Sequence, residues 1–349
     1  MKVVSRLFVL LVTASVLVAG YSAATASPTA LTSTVSSITA TSAATVAAVD
    51  FPRTVKDGAG NSVIVKSKPM HIVSVTLGTD EILFALVDPS RLAAITANAS
   101  DVAQSNVVSL APQVKTQLAK ADPEAIIALH PDLVFVASYT DAAVVKQLKD
   151  AGLAVFLLGN FATIKDVENN IMLIGQTVGE DQKAQHVIDW MESQLLVISQ
   201  AVKGAKPASV MYYAPDGYSD GPGTLIDDII TSAGGVNAVT AGGIKDAFPQ
   251  LNDEFVVKQD PDYILLAGFN SYSPNFVDNF MQKANFQTLS AFKNKHVGVA
   301  NDAHLTAVSQ YVVDGVADVA GLIHADVYSV TPSATSAAVS ATQAATAAQ

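Results

Sequence analysis

The stretch DPEAIIALHPDLVFVASY, residues 122–139, aligns without gaps on NDEFVVKQDPDYILLAGF, residues 252–269. Glu254 follows Glu124 by 130 residues, and the Pro-Asp pair at 131–132 recurs at 261–262 with the same offset. A match of this length and order predicts that the two halves of the chain are two versions of one lobe.

The repeated unit has a simple local structure. Asp122 and Asn252 are good N-cap residues, so each begins a short helix. The helix stops before the Pro-Asp turn, and the chain then reverses into a buried strand. Helix and strand are antiparallel, so the start of the helix and the end of the strand share one side of the lobe.

Each lobe should therefore present a carboxylate and an aromatic residue on that side. They are Glu124 with Tyr139 in the first half and Glu254 with Phe269 in the second. A glutamate in the first helical turn also stabilises a helix by about 0.3–1 kcal/mol through the helix dipole. The recurrence of the glutamate at one position in both halves favours a functional role over this purely structural one.

Strand-like and helix-like runs alternate on both sides of the repeat, which is typical of parallel sheets covered by helices. The strand predictions are 71–75, 92–96, 133–137 and 155–158, then 209–213, 263–267 and 297–300, after a hairpin over 53–66. Residues 163–205 contain no strand pattern and carry a helical apolar stripe. They predict a rigid helical connector, which Gly179 could break.

The ends of the chain have a different composition from its body. A positive start, an apolar run of about 13 residues at 7–19, and Ala24-Thr25-Ala26 indicate an export signal rather than a membrane span, which needs roughly 20 residues. Tyr21 stands where a lipoprotein signal requires cysteine, so no lipid anchor is expected there. The predicted divisions are a signal peptide (1–26), a disordered linker (27–50), a first lobe (51–162), a connecting helix (163–205), a second lobe (206–329) and a disordered tail (330–349).

Composition narrows the functional class. The net charge of -11 disfavours nucleic acid as a partner, because phosphate contacts need clustered Lys and Arg. The absence of cysteine from the sequence excludes disulfides and thiolate metal sites. No G-x-S-x-G elbow, phosphate loop or H-E-x-x-H motif is present, so the sequence does not predict an enzyme.

These motifs, in this order, resemble the class III periplasmic binding proteins of ABC importers, which include the vitamin B12-, ferric siderophore- and haem-binding proteins. The resemblance covers about 51–328. Besides the repeat, it rests on residues 69–75, 79–86, 151–152, 221–224, 233–237 and 248–250.

The resemblance implies an α/β fold of two Rossmann-like lobes with parallel sheets, joined by one long α-helix, with the ligand in the cleft between them. It implies that the protein delivers a metal-chelate ligand to a membrane permease and its ATPase. It also implies that one glutamate per lobe docks onto permease arginines, and the matching positions are Glu124 and Glu254. No intrinsic cofactor is expected, and the protein should be monomeric.

Residues at the predicted strand ends are the candidates for ligand contact, because ligands of open α/β sheets bind there. Many are aromatic, which suits a large conjugated or macrocyclic ligand. The set comprises Thr76, Leu77, Asn98, Tyr139 and Phe161 from the first half, and Tyr213, Tyr218, Phe269, Tyr272, Asn301 and His304 from the second.

The sequence does not identify a single ligand. Haem would need an axial ligand, for which Tyr139, Tyr213 and His304 are candidates. A corrinoid could be held without direct ligation, and an anionic siderophore would need an arginine in the cleft, where Arg53 and Arg91 are not expected. A zinc or manganese binder needs several converging histidines, and His304 is the one predicted at a strand end. A sensor that does not transport its ligand is a further alternative.

Overall fold

The computed structural model describes residues 50–268 and 273–329. It consists of two lobes, each built on a parallel sheet with helices, so the predicted fold class is confirmed. The signal peptide, all of the linker except Asp50, and the tail lie outside the described residues. Among the helices that the structure describes, none is both long enough and apolar enough to cross a bilayer.

The first lobe begins with an antiparallel hairpin, followed by a five-stranded parallel sheet in the order β5-β4-β3-β6-β7. The hairpin strands are β1 (Arg53–Lys56) and β2 (Ser62–Val65). The sheet strands are β3 (Ile72–Ser74), β4 (Leu92–Thr96), β5 (Gln117–Leu118), β6 (Leu133–Ala137) and β7 (Val155–Leu158), and the helices are α1 (Leu77–Leu86), α2 (Pro123–Ala128) and α3 (Ala142–Asp150).

The second lobe has a four-stranded parallel sheet in the order β11-β10-β8-β9. Its strands are β8 (Ser209–Tyr213), β9 (Val236–Asn237), β10 (Tyr263–Leu266) and β11 (Val297–Val299). Its helices are α6 (Leu225–Ser232), α7 (Ala238–Ala241), α8 (Asp253–Gln259), α9 (Phe276–Met281), α10 (Ser290–Lys293), α11 (Asp302–Leu305) and α12 (Val312–Ile323).

The connector between the lobes is a pair of helices, α4 (Ile164–Val178) and α5 (Asp181–Ala201), rather than a single helix over 163–205. A capping box of Thr163 and Asp166 starts α4, and Gly179 ends it in a left-handed conformation at φ 75°. At 1.5 Å per residue, α5 is about 30 Å long. It packs against α1 in the first lobe and α12 in the second, and α4 likewise packs against α1 and α6, so both helices of the pair link the lobes.

The structure gives the sequence repeat a physical meaning. Asp122 and Asn252 cap α2 and α8 as predicted, accepting hydrogen bonds from backbone N–H groups of the first turn. A residue with positive φ follows each helix, His130 at 48° two residues after α2 and Asp260 at 41° directly after α8. Histidine and aspartate are among the side chains that tolerate this conformation.

The Pro-Asp pair ties each repeated strand to its neighbour. The Asp132 carboxylate accepts hydrogen bonds from the backbone N–H groups of Met70 (2.6 Å) and His71 (2.9 Å), just before β3. The Asp262 carboxylate accepts one from Ser209 N–H at 2.8 Å, at the start of β8. The same aspartate thus holds two strand starts together in both lobes.

Candidate functional site

A cleft of about 650 Å³ lies between the two lobes. The chain enters it directly after β6 and β7 in the first lobe and at the end of β8 in the second, so it lies at the carboxyl ends of both sheets. The lining residues are Ser138, Tyr139, Gly159, Asn160, Phe161 and Ala162 from the first lobe, and Tyr212, Ala214, Asp220, Gly223, Thr224, Leu225, Ile226, Phe248, Leu305, Thr306 and Val308 from the second.

Two large aromatic side chains are exposed in this cleft. Tyr139 of the first lobe is 70% exposed, and Phe248 of the second lobe is 65% exposed. Tyr139 lies beside Phe161, with ring centroids 6.2 Å apart and the planes tilted by 49°. Exposed aromatic surface on both walls of a cleft is typical of a site where a flat or macrocyclic ligand is enclosed.

The cleft also contains a half-buried carboxyl group, that of Asp220. Burial raises the pKa of Asp220 to about 6, against the lowering effect of the Thr224 hydroxyl. Thr224 is held in place because its hydroxyl donates to Gly221 O and caps helix α6 through Asp227 N–H. Asp220 therefore contributes one carboxyl group to the second-lobe wall.

The predicted site residues of the first lobe differ in their position relative to the cleft. Tyr139 and Phe161 line it. Thr76 is buried at the N-cap of α1, where its hydroxyl lies 2.7 Å from the Thr79 hydroxyl and interacts with Tyr139. Leu77 packs against the core as a partly buried residue. Thr76 therefore supports a cleft residue rather than lining the cleft itself.

Tyr213 does not line the cleft. It is 4% exposed and packs in an aromatic cluster with Phe276, Phe280 and Phe286 on the other side of β8. Successive residues of a strand face opposite sides of the sheet, and the preceding Tyr212 is the one that lines the cleft. Tyr218 is half exposed and bridges to Gln250, outside the cleft lining.

His304 is not among the lining residues, although Leu305 and Thr306, which follow it, are. Its Nδ1 is 2.7 Å from the Asp318 carboxylate and 3.1 Å from Asn301 Nδ2. Burial alone would lower the pKa of His304, but the hydrogen bond and charge of Asp318 raise it overall. Asn98 and Asn301 do not line the cleft either, and Phe269 and Tyr272 lie outside the described residues.

The sequence did not nominate Tyr212, Asp220, Thr224 or Phe248 as ligand contacts. Thr224 and Phe248 belong to the motifs at 221–224 and 248–250 that carry the family resemblance, and this membership is the sequence feature that could have identified them as cleft residues. Asp220 and Tyr212 had no comparable signal, because which wall they face depends on the path of the loop and the pleat of the strand.

A buried polar contact joins the lobes beside the cleft. Glu81 of α1 accepts hydrogen bonds from Asn106 N–H (2.9 Å) and from the Ser309 hydroxyl of the second lobe. Gln310 donates to Glu81 O at 2.9 Å, and Asn106 donates to Ala303 O at 2.6 Å. We call these residues the interlobe seam. Burial raises the pKa of Glu81 to about 7, although its hydrogen bonds from Ser309 and Asn106 lower it.

The two repeated glutamates are exposed in the first turns of α2 and α8. Within residues 50–268 and 273–329, no three His, Cys, Asp or Glu side chains form a group that could hold a metal ion.

Comparison with known proteins agrees with the two-lobed fold. Residues 72–303 match the family model described as periplasmic binding protein. The chain is 26% identical over 284 residues to a cobalamin-binding protein of Halobacterium salinarum, covering 79% of this chain and 75% of that protein. It is 25% identical over 288 residues to the uncharacterized ABC transporter substrate-binding lipoprotein YvrC of Bacillus subtilis, covering 80% and 87%.

Among solved structures, the periplasmic heme-binding protein RhuT from Roseiflexus sp. RS-1, in apo form, superposes with a TM-score of 0.64. The sequence identity is 20%, and the match covers 73% of this chain and 98% of RhuT. At this identity the likeness concerns the fold.

Proposed function

The chain belongs to the periplasmic binding protein family, a family of solute-binding proteins rather than enzymes, and on that premise we propose that it is the substrate-binding component of an ABC importer. Its cargo is a metal chelate of the iron-siderophore, haem or cobalamin type. The protein has no cofactor of its own and acts outside the cytoplasm after export by residues 1–26.

The observation that carries this proposal is the pair of exposed aromatics, Tyr139 and Phe248, on opposite walls of the cleft. A volume of about 650 Å³ is in the range of sites that enclose a small organic ligand. Large apolar side chains on both walls are exposed to water, and covering them with a flat apolar surface lowers the free energy of the complex. The cobalamin-binding relative supports the cargo class, and the ABC transporter substrate-binding lipoprotein YvrC supports the importer role.

Delivery to the permease is assigned to Glu124 and Glu254. Both are exposed at matching positions of the two lobes, so each lobe offers one carboxylate to the membrane partner. An exposed ion pair contributes only about 0–1 kcal/mol. Two pairs on separate lobes of one body therefore set the orientation of the complex more than its strength.

The test is a double variant, Glu124→Ala with Glu254→Ala. We expect its binding of cyanocobalamin and of ferric chelates, followed by fluorescence quenching, to equal that of the unmodified protein. Uptake of the bound chelate through the cognate permease and ATPase should be lost. The matched control is Asp150→Ala with Asp189→Ala, which removes two exposed carboxylates from α3 and α5.

Full uptake by the glutamate double variant would refute the docking assignment. Failure of the unmodified protein to bind any chelate would refute the proposed cargo class.

A further inference from the structure

The charge inside the cleft restricts which chelates it can hold. Of the described residues that line it, Asp220 alone has a carboxyl, ammonium or guanidinium group, and the charged group that affects it electrostatically is the carboxylate of Asp227. The cleft thus offers one negative group and no positive one from the described lining.

The arginines that could pair with an anionic ligand are used elsewhere. The sequence contains three, Arg6, Arg53 and Arg91, of which the last two are described. Arg53 binds Gln176 O at 2.7 Å and the Asp181 carboxylate at 2.8 Å.

Arg91 binds the Glu180 carboxylate and Val178 O, both at 2.7 Å. These four partners, Gln176, Asp181, Glu180 and Val178, lie at the turn between α4 and α5. Because α4 starts beside the cleft and its 15 residues span about 22 Å, that turn is at the far end of the helix.

The lysines closest in sequence to cleft-lining residues do not supply the positive charge that the arginines fail to supply. Lys165 follows the lining residue Ala162 by three positions, but its ammonium group binds the Glu168 carboxylate at 2.7 Å. Lys245 precedes Phe248 by three positions and is an exposed residue outside the cleft lining.

From these observations we propose that the cleft selects metal chelates whose net charge is zero or positive, with Asp220 as the residue that discriminates by charge. This inference rests on the proposed function. Two classes of ligand meet this requirement, uncharged corrinoids and ferric hydroxamates. Both are large chelates without uncompensated anionic groups.

The physical reason is the cost of burying like charges. An anionic chelate would place its carboxylates or catecholates near Asp220 in a partly dehydrated space without a basic partner. A cationic chelate would instead gain an opposite charge, and an uncharged one would rely on the aromatic walls. The net charge of the chain, -11, also disfavours the approach of anions at low salt.

The experiment measures dissociation constants at pH 7.5 for four probes by fluorescence quenching. The probes are cyanocobalamin (uncharged), ferrioxamine B (cationic), haem (two propionates) and an iron tris-catecholate (strongly anionic). We expect the preferred probe to be one of the first two, bound at least about tenfold more tightly than either anionic probe. Preference for cyanocobalamin would identify a corrinoid source, and preference for ferrioxamine B a hydroxamate source.

Asp220→Asn should weaken the binding of ferrioxamine B, strengthen the binding of the two anionic probes and leave the affinity for cyanocobalamin unchanged. The matched control, Asp189→Asn, removes the same charge from the exposed surface of α5 and should alter none of them beyond a salt-sensitive shift. Tightest binding of haem or the tris-catecholate, or equal effects of the two substitutions, would overturn the charge inference alone. Binding of none of the four probes would overturn the proposed function as well.

Discussion

Replacing Glu81 by glutamine should make the protein more stable at alkaline pH while changing little at acidic pH. Glu81 lies in the interlobe seam, where it is 2% exposed. Its carboxyl accepts from Asn106 and Ser309, and burial raises its pKa from the ordinary 4.5 to about 7. Glutamine has the shape of the protonated acid, and its side-chain carbonyl oxygen can still accept the hydrogen bond from Asn106 N–H.

The difference in protons bound by the folded and unfolded states decides whether stability rises or falls with pH. With a folded pKa above the unfolded one, the folded state binds more protons between about pH 4.5 and pH 7, so stability falls as pH rises. The stabilisation that protonated Glu81 gives the folded state is complete below its unfolded pKa of about 4.5, and it is lost as the pH rises through about 7. Between pH 5 and pH 8 the expected loss from this group is about 2–3 kcal/mol of unfolding free energy.

The assay is urea unfolding of the unmodified protein and of Glu81→Gln at pH 5 and pH 8. The stability difference between the two proteins should grow by about 2–3 kcal/mol toward pH 8, in favour of the variant. Asp80, whose pKa burial raises to about 8, titrates in the same direction, so the variant itself should still lose stability. Glu192→Gln, at an exposed position on α5, is the control. A difference between Glu81→Gln and the unmodified protein that is equal at both pH values would refute this account of the seam.

Two further substitutions test the packing between elements. Gly78→Ala should cost about 1–3 kcal/mol in urea unfolding, because its Cβ would collide with the Val308 side chain of the other lobe. Gly298→Ala is its control, since a Cβ there has no neighbour within 4 Å, and equal stability of the two variants would contradict the predicted collision. Arg91→Ala should lower stability by about 1–3 kcal/mol for each carbonyl it leaves unpaired, those of Pro69 and Val178. Lys68→Ala removes an exposed partner of the same Glu180 and should cost only about 0–1 kcal/mol, and an equally large loss there would contradict the role given to Arg91.

The elements that the sequence missed are those with the weakest local signal. β5 and β9 have two residues each and lie at sheet edges, so no apolar run marks them. The apolar stripe over 163–205 predicts one helical connector, and Gly179 marks the position of a break. Only the packing of α4 against α5 makes the break a reversal of direction.

The sequence by itself determined the twin-lobe architecture. Capping residues, the Pro-Asp turns and strand runs are local signals, and their recurrence after 130 residues needs no knowledge of distant contacts. Tertiary structure decided which side chains face the cleft and how the lobes meet. Tyr212 and Tyr213 are adjacent and identical, yet the pleat of β8 turns the first toward the cleft and the second toward the aromatic cluster of Phe276, Phe280 and Phe286. Phe248, Asp220 and the Glu81 seam depend on the paths of loops that are far apart in sequence, so no local pattern could place them.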